Sequence, residues 1–454
     1  MALAGDQRRQ ILKVLMTSLL LDLISFTFIL PLFPSLLSFY RNQDPAPNSL
    51  LNRVFHYLNA YKNSFAGSID SRYDIVLLGG ALGSLFSFLQ AIAAPFIGRL
   101  SDKHGRKTAL LCSMAGNTLS VALWVAATDF RTFLASRIVG GLSEGNVQLA
   151  NAIATDISDE SQRGSTMALV GACFSIAFTC GPALGAALSN ITTVAANPFA
   201  TAAGVSLLLI VVETVYLYFC LPETHPRLTK LRHSKPTEAA ASENINNTSS
   251  TAKTPAPRRH TNKPSLLNFL HLLFLLPFSG LEFSLPFLTA TFYAGNKASP
   301  SALNGRLLSM MGLIASLLQG TVVRRLPPLV TVRAGVVACA IAFFLLARVQ
   351  SIAGLYGAGG LLAITSATVV TGLNSLGSFE AQEGERGAVL GRLRSWGQVG
   401  RAAGPLLFCS LFWWAGREIA YTTGGFAMLV VCVGVFTTLK SPPIQTAPKA
   451  KKDS

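Results

Sequence analysis

Hydrophobic residues occur along this chain in long blocks separated by short polar stretches. Blocks long enough to cross an apolar layer of about 30 Å fall at 11–39, 74–98, 108–127, 131–156, 164–189, 198–221, 265–293, 302–323, 329–348, 352–378, 388–414 and 417–439. They predict twelve membrane-spanning helices. The polar segment 222–264 has the opposite character: it is rich in Ser, Thr, Asn, Pro and Lys, lacks apolar periodicity and reads as a disordered linker. The pattern divides the chain into an N-terminal six-helix bundle (1–221), a linker (222–264), a C-terminal six-helix bundle (265–440) and a tail (441–454). The predicted class is an all-α membrane protein.

Composition agrees. Of 454 residues, 50% are hydrophobic and 13% charged, too little polar surface to cover a soluble globule. The net charge of +16 does not point to nucleic acid, because the basic residues sit in short loops rather than on an amphipathic face or beside stacking aromatics. With the N-terminus cytoplasmic, inner loops and tails collect about 26 of the 37 Lys and Arg and outer loops about 8. Both termini and the linker are therefore expected in the cytosol. Arg8, Arg9 and Lys13 precede a block too long for a cleavable signal, so the first helix is read as a retained one. The seven cysteines lie in or at the edge of apolar blocks without metal-type spacing, and no nucleophile–base group or phosphate loop occurs. No metal, no cofactor and no enzymatic activity is expected.

The most informative turn runs from Gly98 to Lys107 (Gly-Arg-Leu-Ser-Asp-Lys-His-Gly-Arg-Lys). Gly98 permits close helix approach, Asp102 suits a helix N-terminus, Gly105 permits the reversal, and Arg106 and Lys107 hold the turn on the cytoplasmic side. Glycine plus a basic turn recurs at Gly320–Arg325, and Gly181-Pro182 in the fifth block is echoed by Gly404-Pro405 in the eleventh. Such echoes are expected of an internally repeated transporter. Arg324 stands where the first copy has Asp102, so the acid-to-helix contact is expected on one side alone.

The Gly98–Lys107 turn resembles the loop signature of the major facilitator superfamily. Leu21-Asp22 with Pro31–Leu37, Ser136–Gly141, Thr155–Asp159 and Ala403–Phe408 are similar to bacterial tetracycline/proton antiporters, within the drug/proton branch. The linker and the first outer loop (41–72) are longer than in bacterial members, which favours the vertebrate tetracycline transporter-like group, regarded as organic-anion transporters. Ala168, Ala177 and Ala186 replace glycines of the antiporter pattern in the fifth helix. The resemblance implies two pseudo-symmetric six-helix bundles around a central cavity. It also implies a latch in which Asp102 meets the start of helix eleven while Arg106 pairs with Asp156, so that Gly98, Asp102, Gly105, Arg106 and Asp156 form a gate. A purely orienting role would explain the basic residues but not the two acids.

Charges inside spans cost about 3 kcal/mol or more each, so each needs a cavity or a partner. Asp22, midway along helix one, is read as a proton-coupling or substrate-sensing carboxylate, since an acid shut away from water holds its proton more strongly; the alternative is a structural pair. Arg394, Gln398 and Arg401 share one face of helix eleven at spacings of four, three and seven. Arg401 is read as an anchor for an anionic substrate and Gln398 as an orienting group. The alternatives pair Arg401 with Asp22 or Glu282 and let Arg394 snorkel. Glu282, after Pro277 and Gly280 and before Pro286, lies in an interrupted stretch of the kind that lines cavities and is a second proton-coupling candidate. Arg137 and Glu144 are seven apart on helix four, with the family pattern supporting Arg137 as a substrate contact. Glu213 and Arg306 are expected to face other helices, and His271 to be interfacial.

The function these features predict is a secondary active transporter of amphipathic organic anions, coupled to protons or counter-anions across a lipid bilayer. Export of drugs or organic cations through Asp22 and Glu282 is the alternative, and a non-transporting receptor or assembly partner is the alternative of another class. The C-terminal Lys451-Lys452 fits a dilysine pattern read by coat proteins, so a plasma-membrane and an intracellular location both stay open.

Overall fold

The computed structural model describes residues 5–43, 46, 48–64, 74–189, 191, 197–233, 261–291 and 300–442. Most of the expected linker and the Lys451-Lys452 tail lie outside the described residues. Fifteen helices account for nearly all the rest: α1 (Gly5–Thr27), α2 (Ile29–Gln43), α3 (Leu50–Asn63), α4 (Asp74–His104), α5 (Arg106–Ala126), α6 (Phe130–Ser143), α7 (Asn146–Asp156), α8 (Glu160–Ser189), α9 (Ala200–Cys220), α10 (Pro226–His233), α11 (Pro264–Thr291), α12 (Pro300–Thr321), α13 (Pro328–Arg348), α14 (Ile352–Glu380) and α15 (Arg386–Thr438). No strand occurs among the described residues.

Ten of these helices are long and apolar enough to cross a membrane. One of them, α15, is two spans in one: Gly416 adopts φ 84°, a left-handed conformation open to glycine, and reverses the chain between two limbs. The twelfth span is the pair α6–α7. The architecture is thus the twelve-span one that the hydropathy blocks predict.

Two spans are interrupted where the sequence reads them as continuous, and the stretch around Glu282 that the sequence reads as interrupted is instead one unbroken helix, α11, whose length carries it through Pro277 and Gly280. The first span breaks at Phe28 between α1 and α2. Pro31 has no N–H, so the carbonyl of Thr27 loses its helical partner there. The fourth breaks at Glu144-Gly145, where the Ser113 hydroxyl takes over the backbone groups: it donates to Ser143 O at 2.5 Å and accepts from Gly145 N at 2.9 Å. The expected linker also begins with structure, since α10 occupies residues 226–233.

Buried apolar side chains form one core from residues between Ile11 and Leu221 and another drawn almost wholly from residues between Leu267 and Leu439. Where α8 meets α12 and α14, a smaller cluster of Ala168, Ala315 and Ala367 with Val323 lets backbones approach. Large apolar side chains such as Phe219, Leu208, Leu317 and Val433 point outward, as a lipid-facing surface requires.

At the first-span break, α8 presents Gly181 and Gly185 to Thr27 and Phe28, and a Cβ on Gly185 would fall 2.8 Å from Phe28 Cα. We predict that Gly185→Val lowers stability by about 1–3 kcal/mol, read as a fall in melting temperature in detergent. Gly204→Val, where a Cβ meets nothing within 4 Å, should melt like the parent.

Candidate functional site

At one end, α4 crosses the start of α15 at glycine-to-glycine distance. A Cβ on Gly98 would collide with the Gly387 carbonyl and approach Ala388 Cα at 3.3 Å, and one on Gly391 would lie 2.6 Å from Ala94 O. That closeness puts Asp102 over the first turn of α15, where its two carboxylate oxygens accept from Gly387 N at 2.9 Å and Ala388 N at 2.7 Å. An acid at a helix N-terminus satisfies orphan N–H groups and meets the positive end of the helix dipole. Arg106, fully buried, donates to Asp102 and to Asp156 at 2.6 Å each and to Ser101 Oγ at 2.7 Å. Asp156 takes a further 2.9 Å bond from Arg386 of α15. Gly105, at φ 99°, makes the reversal.

All five sequence-predicted latch residues therefore meet here. Two partners were not foreseen. Arg386 adds a second guanidinium across the halves, and Glu223, after the sixth span, caps α5 by accepting from Arg106 N at 2.9 Å and Lys107 N at 3.2 Å. The repeat-related turn at 323–325 exposes Arg324 and Arg325 and shows no such acid contact among the described residues.

Deeper in the first half lies a cluster of buried charge. Asp22 on α1, Glu144 at the α6–α7 break and Glu213 on α9 are buried, as is Arg137 on α6. Asp22 faces Asn146, Glu144 and Arg394; Glu144 faces Arg394 and Arg137 and accepts from Asn117 Nδ2 at 3.2 Å; Glu213 faces Asp22 and accepts from Ser18 Oγ at 2.7 Å. The break in the fourth span is what turns Glu144 and Asn146 inward. A small cavity of about 30 Å³ is lined by Asp22, Phe26, Phe86, Trp124, Arg137 and Glu144 among others.

Arg394, half-buried on the second half, has the first-half acids Glu144 and Asp22 as the opposite charges around it, and its buried Nε has no hydrogen-bond partner. Arg401, two turns further on, pairs with Glu282 of its own half at 2.9 Å, with side chains 46% and 33% exposed. Gln398 between them is buried with Oε1 unpartnered. Three residues sharing one helix face therefore have three different surroundings. His271, expected at an interface, is instead buried against Gly397, its Nδ1 2.9 Å from Leu393 O.

At the far end, about 30 Å along α15 at 1.5 Å per residue, Tyr61 of α3 binds the opposite half. Its hydroxyl donates to Leu406 O at 3.0 Å, pairs closely with Ser410 Oγ, and its ring meets Trp413 with centroids 6.3 Å apart. The two halves are thus bonded at both ends, around a charged middle.

A family model described as Major Facilitator Superfamily matches residues 15–405. The chain belongs to the Major Facilitator Superfamily. It is 35% identical over 427 residues to the mouse (Mus musculus) major facilitator superfamily domain-containing protein 10, covering 91% of this chain and 90% of that one. The crystal structure of the human organic anion transporter MFSD10 (TETRAN) matches with TM-score 0.79 and 31% identity, over 94% of this chain and 99% of that one. The tetracycline resistance protein, class E, of Escherichia coli is 26% identical over 358 residues, 78% of this chain and 82% of that one. This member of the Major Facilitator Superfamily is a multi-pass membrane transporter and not an enzyme.

In a Major Facilitator Superfamily protein, a contact made only when the halves meet favours the conformation in which they do. Asp102→Asn keeps the shape of the latch but removes the charge that serves two N–H groups and Arg106. We predict a loss of about 2–4 kcal/mol from this conformation. The readout is alkylation of a Ser395→Cys reporter, which lies between α15 and Ala91 O, with exposed Cys112, Cys180 and Cys220 changed to serine. Labelling should accelerate at least tenfold, and an unchanged rate would show that the carboxylate does not close this end.

Proposed function

We propose that this transporter moves amphipathic organic anions by alternating access, driven by protons or by exchange for a counter-anion. The observation that carries the reading is the Arg401–Glu282 pair. A guanidinium inside a span keeps its charge, yet this one is about half exposed and holds a single carboxylate oxygen. A substrate carboxylate or sulfonate presents the same acceptor as Glu282 and can replace it, with Gln398 one turn away to orient the ligand. Phe26, Phe86 and Trp124 give the first-half cavity an apolar wall that can take an apolar part of a ligand. That the structurally similar human protein is described as an organic anion transporter supports the same substrate class.

Asp22 is the coupling carboxylate in this reading, with Glu282 second, because both can exchange a proton for a contact with an arginine of the eleventh span. Arg137 assists the substrate from the first-half pocket and Arg394 from the eleventh span. The Asp102–Arg106–Asp156 group, with Gly98 and Gly105, is the gate, closed on the cytosolic side when the positive-inside rule sets the orientation. The bundles 1–221 and 265–440 are the two rocking bodies, with residues 222–264 tethering them. Both termini are cytosolic, and the Lys451-Lys452 tail is a candidate for coat-protein recognition. One observation favours a second reading: the acids of the first half outnumber the arginines facing them, which would suit a lipophilic cation exchanged for protons.

Uptake of a labelled amphipathic organic anion into proteoliposomes, with and without a pH gradient, tests both. The parent should accumulate the anion. Arg401→Ala should lose at least tenfold in apparent affinity, about 1.4 kcal/mol or more, while Asp22→Asn should keep binding and lose the response to the gradient. Transport of lipophilic cations with anions ignored would replace the anion reading with the second one.

A further inference from the structure

The buried charges of the first half do not balance. Asp22, Glu144 and Glu213 are 2%, 8% and 1% exposed, and the guanidiniums that face them are Arg394 and Arg137. Arg401 is engaged by Glu282. Three carboxyls against two guanidiniums leave one negative charge uncompensated. An unpaired charge in an apolar interior costs several kcal/mol, and a bound proton removes it.

The neighbours decide which acid keeps that proton. Glu144 faces both arginines and accepts from Asn117. Asp22 faces Arg394 and lies beside Asn146. Glu213 faces only the other two acids and the Ser18 hydroxyl. The cations on the helices packed against α9 are bonded elsewhere or exposed: on α1, Arg8 donates to Thr166 and Lys13 is exposed, with Arg9 a turn further out; on α5, Arg106 is held by Asp102 and Asp156 and Lys107 donates to Tyr218 O; and α8 carries only Glu160 and Arg163, in its first turn, while Cys173 of α8 is neutral as a thiol. Asp22 Oδ2 and Glu213 Oε2 are both buried without a hydrogen-bond partner. Asp22 lines the pocket and Glu213 stands behind it.

We propose that Glu213 holds a proton in this conformation and is the reservoir that exchanges it with Asp22, making α9 part of the coupling device. The inference rests on the proton-coupled reading above. In the exchange an O–H bond on Glu213 breaks as one forms on Asp22; the negative charge passes from Asp22 to Glu213, where the Ser18 hydroxyl receives it, and no other group changes. Asp22 is then neutral and its attraction for Arg394 is lost. Glu213 acts through Asp22 and touches no substrate, so it is a positioning residue for the coupling step.

Infrared spectroscopy of the full-length protein in lipid nanodiscs, in H2O and D2O, tests the assignment independently of transport. The parent should show the C=O stretch of a buried protonated carboxyl that shifts in D2O. Glu213→Gln should abolish it, Asp22→Asn should retain it, and Ser18→Ala should move it to higher frequency as the carbonyl loses its donor. Ser18→Ala keeps the question answerable if Glu213→Gln does not fold. In proteoliposomes Glu213→Gln should flatten the pH dependence of anion uptake, which a merely structural glutamate would not do. A parent without the band, a band that survives in Glu213→Gln, or one that disappears in Asp22→Asn alone overturns the proposal. A parent whose uptake ignores the pH gradient overturns the proton-coupled reading, while the band still identifies the residue that holds the proton.

Discussion

Asp102 is bonded to two backbone N–H groups that belong to the other half of the molecule, and the arrangement of the charged residues depends on that contact. A carboxylate can serve a helix N-terminus across an interface only if the backbones nearly touch, which the absence of side chains at Gly98 and Gly387 allows. The same approach brings Arg386 to Asp156 and closes a network of two acids and two guanidiniums in which each charge has an opposite partner. Buried ion pairs gain little over a well-packed apolar contact, but losing one partner strands the other at a cost of several kcal/mol. The network therefore acts less as glue than as a definition of position: the halves either meet in this register or leave charges exposed to be satisfied by water.

Further along the same helices, compensation is incomplete, and there the chemistry gathers. The break at Glu144-Gly145 is the device that makes this possible, since Ser113 supplies the hydrogen bonds that a continuous helix would have made for itself. An unbroken fourth span would keep Glu144 on one helical face seven residues from Arg137. The interruption instead lets Glu144 and Asn146 both face Asp22. Local loss of helix thus concentrates polar groups at mid-span, where interrupted backbone is tolerated because it lines a cavity.

Much of this was legible in the chain. The twelve blocks and the repeat echoes specify the fold because spacing and residue type act locally there, whereas the partners of the latch were legible only through the resemblance of the Gly98–Lys107 turn to a family signature. Asp102 needs only a helix start to bind, and the turn delivers it. Glu213 was not legible as a functional residue: a single acid in an apolar block reads as a helix contact, and its neighbours Ser18 and Asp22 are almost two hundred residues away. Glu223 was hidden for a different reason, because it opens a stretch whose composition reads as linker, although it caps α5 through backbone N–H groups. Tyr61 lies in a polar loop, and nothing in the spacing of that loop announces a bond to Leu406 O on a helix of the other half.

The eleventh span shows why helical periodicity alone stops short of mechanism. Arg394 and Arg401 lie seven residues apart on one face, and helical periodicity does not distinguish them. The fold makes them unequal. The acids facing Arg394, Glu144 and Asp22, belong to the opposite half, whereas Glu282 belongs to the same half as Arg401. Separating the halves would draw Arg394 away from its acids and leave Arg401 paired. One arginine is thus tied to the relative position of the halves and the other to a carboxylate of its own half; under the proposed function this separates a charge that reports conformation from one that a ligand would compete for.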